Sequence, residues 1–328
     1  MNGQIQERAN FYALTDDKKE EFVNALVRLK KAGIYDRYVV WHAQTMSIMT
    51  RQQGERTGRN AAHRGPIFLP WHREFLRRFE RDLQMPLPYW KWEDENDVHN
   101  AEIWKWLGGN GDPNEIVTNF ESGRILGYRV KDGPCAYENG WTTIEANQAG
   151  NPALPGFPRD RPDFSIPLSE YPRAKLARAF GMEGDSFPSG TDVSNALSKN
   201  SYDISPWDES SEGFRNALEG FRPYGLHNQI HVWIYGHMIL QTSPNDPLFF
   251  LNHCNVDRIW AEWQQDKSNY GYPNDGEIKY NDGTKIASHN RNDPMIPWNK
   301  PDASGEPSPT IESVLDHHKL GYKYDTET

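Results

Sequence analysis

The sequence predicts one mainly α domain over residues 1–328, with long loops and little β structure. Two observations lead to this prediction. Apolar residues recur at helical spacing in several separate segments, and the sequence between those segments is rich in Gly, Pro, Asn and Asp. Because the strong helices alternate with loop-rich sequence and no internal repeat is visible, we expect a single domain rather than two.

The N-terminal part contains three predicted helices. Thr15 and Asp16 can cap the first helix, which should end before Gly33. The second helix extends from about residue 35 to residue 49. After a polar, Gly-containing loop over residues 54–65, Pro70 fits the first turn of a third helix.

Helical periodicity fades over residues 94–208, where we expect long surface loops. Short helices are predicted near 101–107 and 192–197. A similar composition returns after Ser268, which predicts an irregular extension packed on the surface.

Three more helices are predicted in the C-terminal third. The first covers residues 213–221, with Ser210 or Ser211 as its cap, and the second covers 226–234. The last strong helix should open at Asp246-Pro247, an N-cap residue followed by a proline at the first helical position.

Composition excludes several functions. A net charge of -10 argues against a nucleic-acid-binding protein, because phosphate binding depends on clustered Lys and Arg. No window reaches the roughly 20 apolar residues of a membrane span. The start at residues 1–4 lacks the pattern of a signal peptide, which predicts a cytoplasmic protein unless a partner exports it. The two cysteines, Cys135 and Cys254, could form one disulfide, but Cys254 fits a small buried helix residue better than a metal ligand.

Six of the eleven histidines fall into two groups of three: His42, His63 and His72, then His227, His231 and His253. Two imidazoles four residues apart share one face of a helix, so His227 and His231 can both reach one ion. His72 and His253 both lie early in a helix opened by proline. This similarity suggests two halves of one site, each with three histidines.

The alternative is that these are ordinary core histidines, since one HxxxH pair is a weak signal. Six together, mostly in aromatic helical sequence where an unpaired imidazole is costly to bury, favour metal binding. Neither the Glu-x-x-His pairs of di-iron proteins nor the HExxH motif of zinc proteases occurs. Imidazole suits Cu, Zn, Ni or Fe, so the residues alone predict two three-histidine sites without choosing the metal.

Longer motifs resemble those of the bacterial tyrosinase family. They are NAAH at 60–63, FLPWHRE at 68–74, LPYW at 87–90, NDPLFF at 245–250, VDRIW at 256–260, DPMIPWN at 293–299 and LGY at 320–322. The resemblance covers nearly the whole chain and is weakest over residues 119–201.

The resemblance implies a four-helix core that holds two copper ions in a type 3 dinuclear site. The first three histidines would bind one copper ion and the second three the other, with O2 as co-substrate. The implied reactions are ortho-hydroxylation of monophenols and oxidation of o-diphenols to o-quinones.

The resemblance also assigns roles beyond the metal ligands. Glu219 and Asn228 match a pair that holds a water near the second copper, where it can take the proton of a phenol. Taken singly, Glu219 would be a helix-surface carboxylate and Asn228 a simple cap. Asp257, one turn beyond His253, either positions Arg258 or a histidine, or forms a structural salt bridge.

Several positions depart from the family pattern. Asn252 stands where the family usually has a second histidine, and Val232 where relatives often carry arginine. Phe221 is expected at the pocket mouth, and less common residues are expected at the rim: Tyr235, His237 and Gln241. These changes leave an o-aminophenol or catechol oxidase with little monophenolase activity as an alternative.

Residue 61 is Ala61, so the Cys–His thioether of fungal and plant relatives should be absent. The chain is also too short for the lid domain of such relatives. We therefore expect an active site that is open to small phenolic or aminophenolic substrates, or covered by a separate copper-loading caddie protein. Two other functions stay open: an O2 carrier like the haemocyanins, and an unrelated zinc hydrolase.

Overall fold

The computed structural model describes residues 5–94, 102–146, 165–183, 186–221, 225–300 and 307–327. In these ranges the α-helices are α1 Asp16–Lys31, α2 Ile34–Met46, α3 Phe68–Leu83, α4 Glu102–Leu107, α5 Gly190–Leu197, α6 Phe214–Glu219, α7 Leu226–Ile234 and α8 Leu248–Gln264. The strands are β1 Gln6–Arg8, β2 Asp112–Thr118, β3 Ile125–Arg129, β4 Thr143–Ile144, β5 Arg173–Ala174, β6 Ala177–Arg178 and β7 Tyr322–Tyr324. None of the described helices has the length and apolar character needed to cross a bilayer.

The core is built mainly from helices, as predicted, and aromatic rings fill the contact between α3 and α8. Phe79 and Phe250 stack with their ring centroids 3.6 Å apart, and Phe75 lies parallel to Phe250 at 5.8 Å. Tyr38 of α2 meets Phe79 edge-on at 5.0 Å. Each such ring contributes about 1.5–3 kcal/mol by leaving water, so this aromatic layer fixes α2, α3 and α8 against each other.

The predicted helix boundaries hold closely for α1 and α7. Thr15 caps α1, since its hydroxyl accepts from the backbone N–H of Lys18 at 3.4 Å, and the helix ends at Lys31, before Gly33. Helix α7 begins and ends at the predicted residues. Helix α2 ends at Met46, three residues before its predicted end.

The predicted cap of α6 is wrong. Gly213 occupies the N-cap position and no side chain caps the helix. Ser211 instead donates its hydroxyl to Asp203 and to the carbonyl of Asp208, in a cluster that also holds Arg215.

The start of α8 also differs, because the helix begins at Leu248 rather than at the predicted proline. Asp246 still accepts the backbone N–H of Leu248 at 3.0 Å. Its carboxylate is also paired with the buried Arg178 at 2.7 Å, so this residue joins the helix start to β6.

Short strands occur where only loops and short helices were expected. β2, β3 and β6 form an antiparallel sheet, and β4 pairs with β5. The pairing of β2 with β3 has two register shifts, so the alternation of apolar and polar residues that marks a strand is interrupted.

The expectation of an irregular surface extension after Ser268 is wrong for the last residues of the chain. β7 pairs in parallel with β1, and both Tyr322 and Tyr324 are buried instead of lying in an irregular surface extension. Cys135 and Cys254 are both buried and free, and Cys254 lies within α8 as predicted. Burial raises the pKa of each thiol to about 12, so neither is a thiolate at neutral pH.

Candidate metal centre

The structure brings the six predicted histidines together in two groups. In each group the candidate ligand nitrogens lie within 4.8 Å of one another. The N-terminal triad is His42 on α2, His63 on the following loop and His72 on α3; the C-terminal triad is His227 and His231 on α7 and His253 on α8. Helices α2, α3, α7 and α8 are therefore the four that carry the centre.

The two triads adjoin each other. The rings of His72 and His253 stack with centroids 4.2 Å apart and planes 12° apart. Within the C-terminal triad, the Nε2 atoms of His227 and His253 are 3.0 Å apart. The two triads thus form one dinuclear centre rather than two separate sites.

Backbone carbonyls orient three of the rings through Nδ1. These bonds join His42 to Gln241, His72 to Phe68 and His231 to Met238, at 2.7, 2.7 and 2.6 Å. A carbonyl can only accept, so Nδ1 carries the proton and Nε2 keeps its lone pair. These three Nε2 atoms are buried and have no hydrogen-bond partner in the described part of the chain.

The loop ligand His63 is positioned by its own sequence motif. The side-chain oxygen of Asn60 accepts the backbone N–H groups of Ala62 and His63 at 3.0 and 2.9 Å. The backbone N–H of Asn60 in turn donates to the carbonyl of His63 at 3.1 Å. The NAAH motif therefore folds into a closed turn that presents the imidazole without a helix.

The chemistry of these groups fits a pair of metal ions. Burial lowers the pKa of all six histidines, that of His42 to about 3 and that of His231 to about 4, so neutral imidazoles face each other at neutral pH. Buried lone pairs without partners are costly unless a cation binds them. All-imidazole ligation with no carboxylate suits copper.

A cavity of about 570 Å³ opens onto the centre. Four of the six histidines line it: His42, His63, His227 and His231. The predicted site residues that also line it are Glu219, Phe221, Asn228, Val232 and Gln241. A space of this size is typical of small-molecule sites.

Glu219 is a buried residue, only 1% exposed, and not a helix-surface carboxylate. Its carboxylate accepts the backbone N–H of Arg64 at 2.7 Å and the Arg215 guanidinium at 2.9 Å. Its carbonyl faces Nδ1 of His227 at 3.3 Å. Arg64 directly follows His63, so Glu219 contacts the backbone beside a ligand of the N-terminal triad and also contacts His227 of the C-terminal triad. Burial raises the pKa of this carboxyl above its ordinary value, although Arg215 opposes the shift.

Gly220 permits the close approach that holds Glu219 beside the C-terminal triad. This glycine has a φ of +69°, and a Cβ at its position would lie 1.9 Å from the carbonyl oxygen of Gly225, immediately before α7. A larger residue would therefore push the ends of α6 and α7 apart.

Two expectations about the pocket are corrected. Asn252 is completely buried and is not part of the cavity wall, because every residue of α8 over 248–261 is buried. Its side-chain oxygen and nitrogen have no hydrogen-bond partner in the described ranges. His237 is also buried away from the rim, where it accepts the backbone N–H of Ala177 and donates to Glu145.

Asp257 has the structural role that was left open, but with other partners. Its carboxylate binds Arg8, Arg73, Tyr322 and Tyr324 rather than Arg258 or a histidine.

Other residues in the cavity wall were not predicted from the sequence. Arg64 places its guanidinium 3.9 Å from the ring centroid of Phe221. Glu121 and Glu183 also line the cavity, and Glu183 accepts the hydroxyl of Tyr235 at 3.1 Å. Glu121 lies between β2 and β3, strands that the sequence did not predict, so its position could not be found from the residues alone.

A dinuclear centre of six histidines on a helical core defines a class of proteins, the type 3 copper proteins. Residues 32–266 match the model of the common central domain of tyrosinase. The chain is 37% identical to a tyrosinase of Streptomyces glaucescens, over 98% of this chain and 99% of that protein. It is 36% identical to the grixazone synthase of Streptomyces griseus, over 79% of this chain and 84% of that protein. The chain belongs to the tyrosinase family.

Solved structures show the same fold at lower identity. A polyphenol oxidase from Thermothelomyces thermophila matches with a TM-score of 0.62 at 23% identity, over 98% of this chain and 88% of that one. A functional unit of octopus hemocyanin matches with a TM-score of 0.52 at 19% identity, over 98% and 68%. The family uses a pair of copper ions, and the two triads fit that pair.

Proposed function

We propose that this chain is a type 3 copper oxidase that uses O2 to ortho-hydroxylate monophenols and to oxidise o-diphenols to o-quinones. The observation that supports this most directly is that the two triads lie next to each other at a cavity of about 570 Å³. When bound there, the copper pair supplies the exchange of two electrons with O2. One monophenol and one O2 give one o-quinone and one water; two o-diphenols and one O2 give two o-quinones and two waters.

The cavity residues orient the substrate. Phe221 offers an aromatic face, held in place by Arg64, against which a phenol ring can pack. Val232 and Gln241 form other parts of the wall, beside His231 and His42 respectively. We propose that these three cavity residues direct the hydroxyl group of the substrate toward the centre.

A phenol must lose its proton to bind a metal ion as phenolate, and its ordinary pKa is about 10. We propose that Glu219 and Asn228, which both line the cavity beside His227, hold a water that takes this proton. The Glu219 carboxylate has lone pairs beyond the two that accept from Arg64 and Arg215, so it can also accept from a water.

The charge of the cavity wall favours phenols that carry an amine. Glu121 and Glu183 line the cavity and have no ion-pair partner in the described part of the chain, whereas the guanidinium of Arg64 lies over Phe221. Carboxylates near the opening attract a cationic side chain of the substrate and repel an anionic one. We therefore propose that tyramine-like phenols are preferred over phenols with a carboxylate.

The second candidate is an o-aminophenol or catechol oxidase with little monophenolase activity. It is favoured by the amide of Asn252 beside the ligand His253, which has no hydrogen-bond partner among the described residues, and by the similarity to a relative that is named a synthase rather than a tyrosinase. An O2 carrier is disfavoured, because a carrier needs neither a substrate-sized cavity beside the centre nor a pair of residues, Glu219 and Asn228, that holds a water there.

We also propose a protein partner and a cellular location. The cavity is large enough for an external side chain to enter, which supports the proposal that a copper-loading caddie protein binds at its opening. Copurification of copper-free protein with such a partner would test this. A cytoplasmic location is proposed from the sequence and can be checked by cell fractionation.

The test is a paired assay of copper-reconstituted protein with a monophenol, the matching catechol and an o-aminophenol, following O2 uptake and product spectra. Rapid turnover of the monophenol supports the proposed function. Turnover of only the catechol or the aminophenol supports the second candidate, and O2 binding without turnover of any substrate supports a carrier.

A further inference from the structure

A second group of metal-ligand side chains lies near the C-terminal end, apart from the six-histidine centre. Both His317 and His318 contact the carboxylate of Glu327 through Nε2, at 2.9 and 2.7 Å and on different oxygens. The three ligand atoms lie within 4.8 Å of one another. The function proposed above uses none of these residues.

We propose that His317, His318 and Glu327 form a separate binding site for a divalent transition-metal ion such as Cu²⁺ or Zn²⁺. Two imidazoles and one carboxylate are a ligand set that suits both ions. Ligands about 2.0–2.1 Å from one ion are roughly 2.9–3.4 Å from each other. The two N···O distances, 2.9 and 2.7 Å, lie at or slightly below this range, so small movements make room for the ion once each imidazole carries its proton on Nδ1 and presents the lone pair of Nε2.

The backbone holds both ligand-bearing segments in place. The N–H groups of Leu320 and Gly321 donate to the carbonyls of His317 and His318, which closes a turn. On the other side, Glu327 accepts the N–H of Tyr324 at 2.8 Å through its carboxylate. The site therefore loses little conformational freedom when it binds an ion.

Burial and charge also suit the site. The side chains of His317 and Glu327 are 9% and 12% exposed, whereas that of His318 is 53% exposed, so one face stays open for entry of the ion and a water ligand. The pKa of Glu327 is lowered to about 2 by His317 and the Tyr324 N–H, against the effect of burial. Burial lowers the pKa of His317. At neutral pH the carboxylate is therefore ionised and the buried imidazole neutral, the forms that bind metal.

Metal binding at this site would link the turn at 317–321 to Glu327 across β7. Because β7 pairs with β1, the ion would fasten the strand pair that joins the two ends of the chain. An ion that binds only the folded protein stabilises it by mass action.

The test starts from copper-loaded protein with two copper ions per chain. Such a coupled pair gives no EPR signal in either oxidation state, so added Cu²⁺ at a single mononuclear site is visible. We expect one further Cu²⁺ per chain, with an EPR signal split by two imidazole nitrogens, and a rise in melting temperature on addition of Zn²⁺.

The variants His318→Ala and Glu327→Gln should each weaken binding of the third Cu²⁺ at least about tenfold, since even indirect partners of metal ligands alter affinity by 10–100-fold. Lys319→Ala, an exposed change in the same turn, is the matched control and should bind normally. Absence of a third Cu²⁺ in the wild type, or equal binding by all variants, would overturn the proposal. None of these readouts depends on phenol oxidation, so the proposed function is tested independently.

Discussion

At the scale of single residues, Glu219 connects the parts of the centre. It accepts from the residue after His63 through its carboxylate and faces His227 through its carbonyl, while Arg215 balances its charge. The same side chain lines the cavity. It is therefore placed both to support the histidines and to act on a substrate.

Glu219→Gln should slow oxidation of monophenols far more than that of diphenols. The amide keeps the shape of the side chain but is a much weaker proton acceptor for the proposed water. The measurement is kcat/KM for a monophenol and its catechol, at equal copper content. Equal losses on both substrates would remove the proton-handling role and leave only a structural one.

Glu183→Gln should reduce the preference for phenols with a cationic side chain. The ratio of kcat/KM for tyramine to that for 3-(4-hydroxyphenyl)propanoate is expected to fall about two- to fivefold, the size of an exposed charge interaction. The effect should shrink at high salt. Glu20→Gln, an exposed change on α1, is the control, and an unchanged ratio in Glu183→Gln would contradict the charge preference.

At the scale of elements, Asp257 joins α8 to three other segments. Its carboxylate accepts from Arg8 on β1, Arg73 on α3, and the hydroxyls of Tyr322 and Tyr324 on β7. Burial alone would raise the pKa of Asp257, but Arg73 and Arg8 outweigh it and hold the pKa below its ordinary value. This network fastens the strands at both ends of the chain to the helices that carry the centre.

Asp257→Asn should lower the free energy of unfolding by about 3–5 kcal/mol, because it leaves two buried guanidinium groups without their shared carboxylate. Chemical denaturation measures this loss, with the exposed Asp266→Asn as control. A loss below about 1 kcal/mol would contradict the anchoring role.

The lowered pKa of Asp257 also predicts how stability depends on pH. Its contribution is present above the unfolded-state pKa, about 3.9, and is lost as pH falls through the lower folded-state pKa. Wild-type protein should therefore lose more stability than Asp257→Asn as the pH is lowered below about 4. Parallel pH profiles for the two proteins would show that Asp257 is not responsible.

The sequence predicted elements well where the signals are local. Thr15 and the apolar spacing fixed the first helix, and the HxxxH helix was placed correctly. The prediction from sequence failed where contacts between distant segments determine the local structure. Ser211 binds Asp203 instead of capping α6. Residues 322–324 form a strand because they pair with β1, which lies more than 300 residues earlier in the chain. Such pairings leave no periodic pattern in their own segments.

At the scale of the whole molecule, the six histidines could be predicted because each lies in a motif with a local structural cause. The cavity wall could not, because it is formed by distant segments. Asn252 was expected there from its place beside His253, yet α8 is buried at both positions and neither residue lines the cavity. Glu121 and Glu183 reach the cavity from regions without helical periodicity.

Removal of copper should lower the melting temperature of the whole molecule. Without the ions, buried Nε2 atoms of His42, His72 and His231 lack partners among the described residues, and the stabilisation by ligand binding is lost. Calorimetry of the protein before and after chelation measures the change. Equal melting temperatures would contradict a centre that ties α2, α3, α7 and α8 together.

The most direct test of the six-histidine centre is O2 uptake with a catechol by copper-reconstituted wild type and by His231→Ala. Loss of one ligand from the C-terminal triad should abolish O2 uptake and lower the copper content, while Lys319→Ala, an exposed change outside the centre, keeps full activity. Full activity in His231→Ala would show that the six histidines do not form the centre as described.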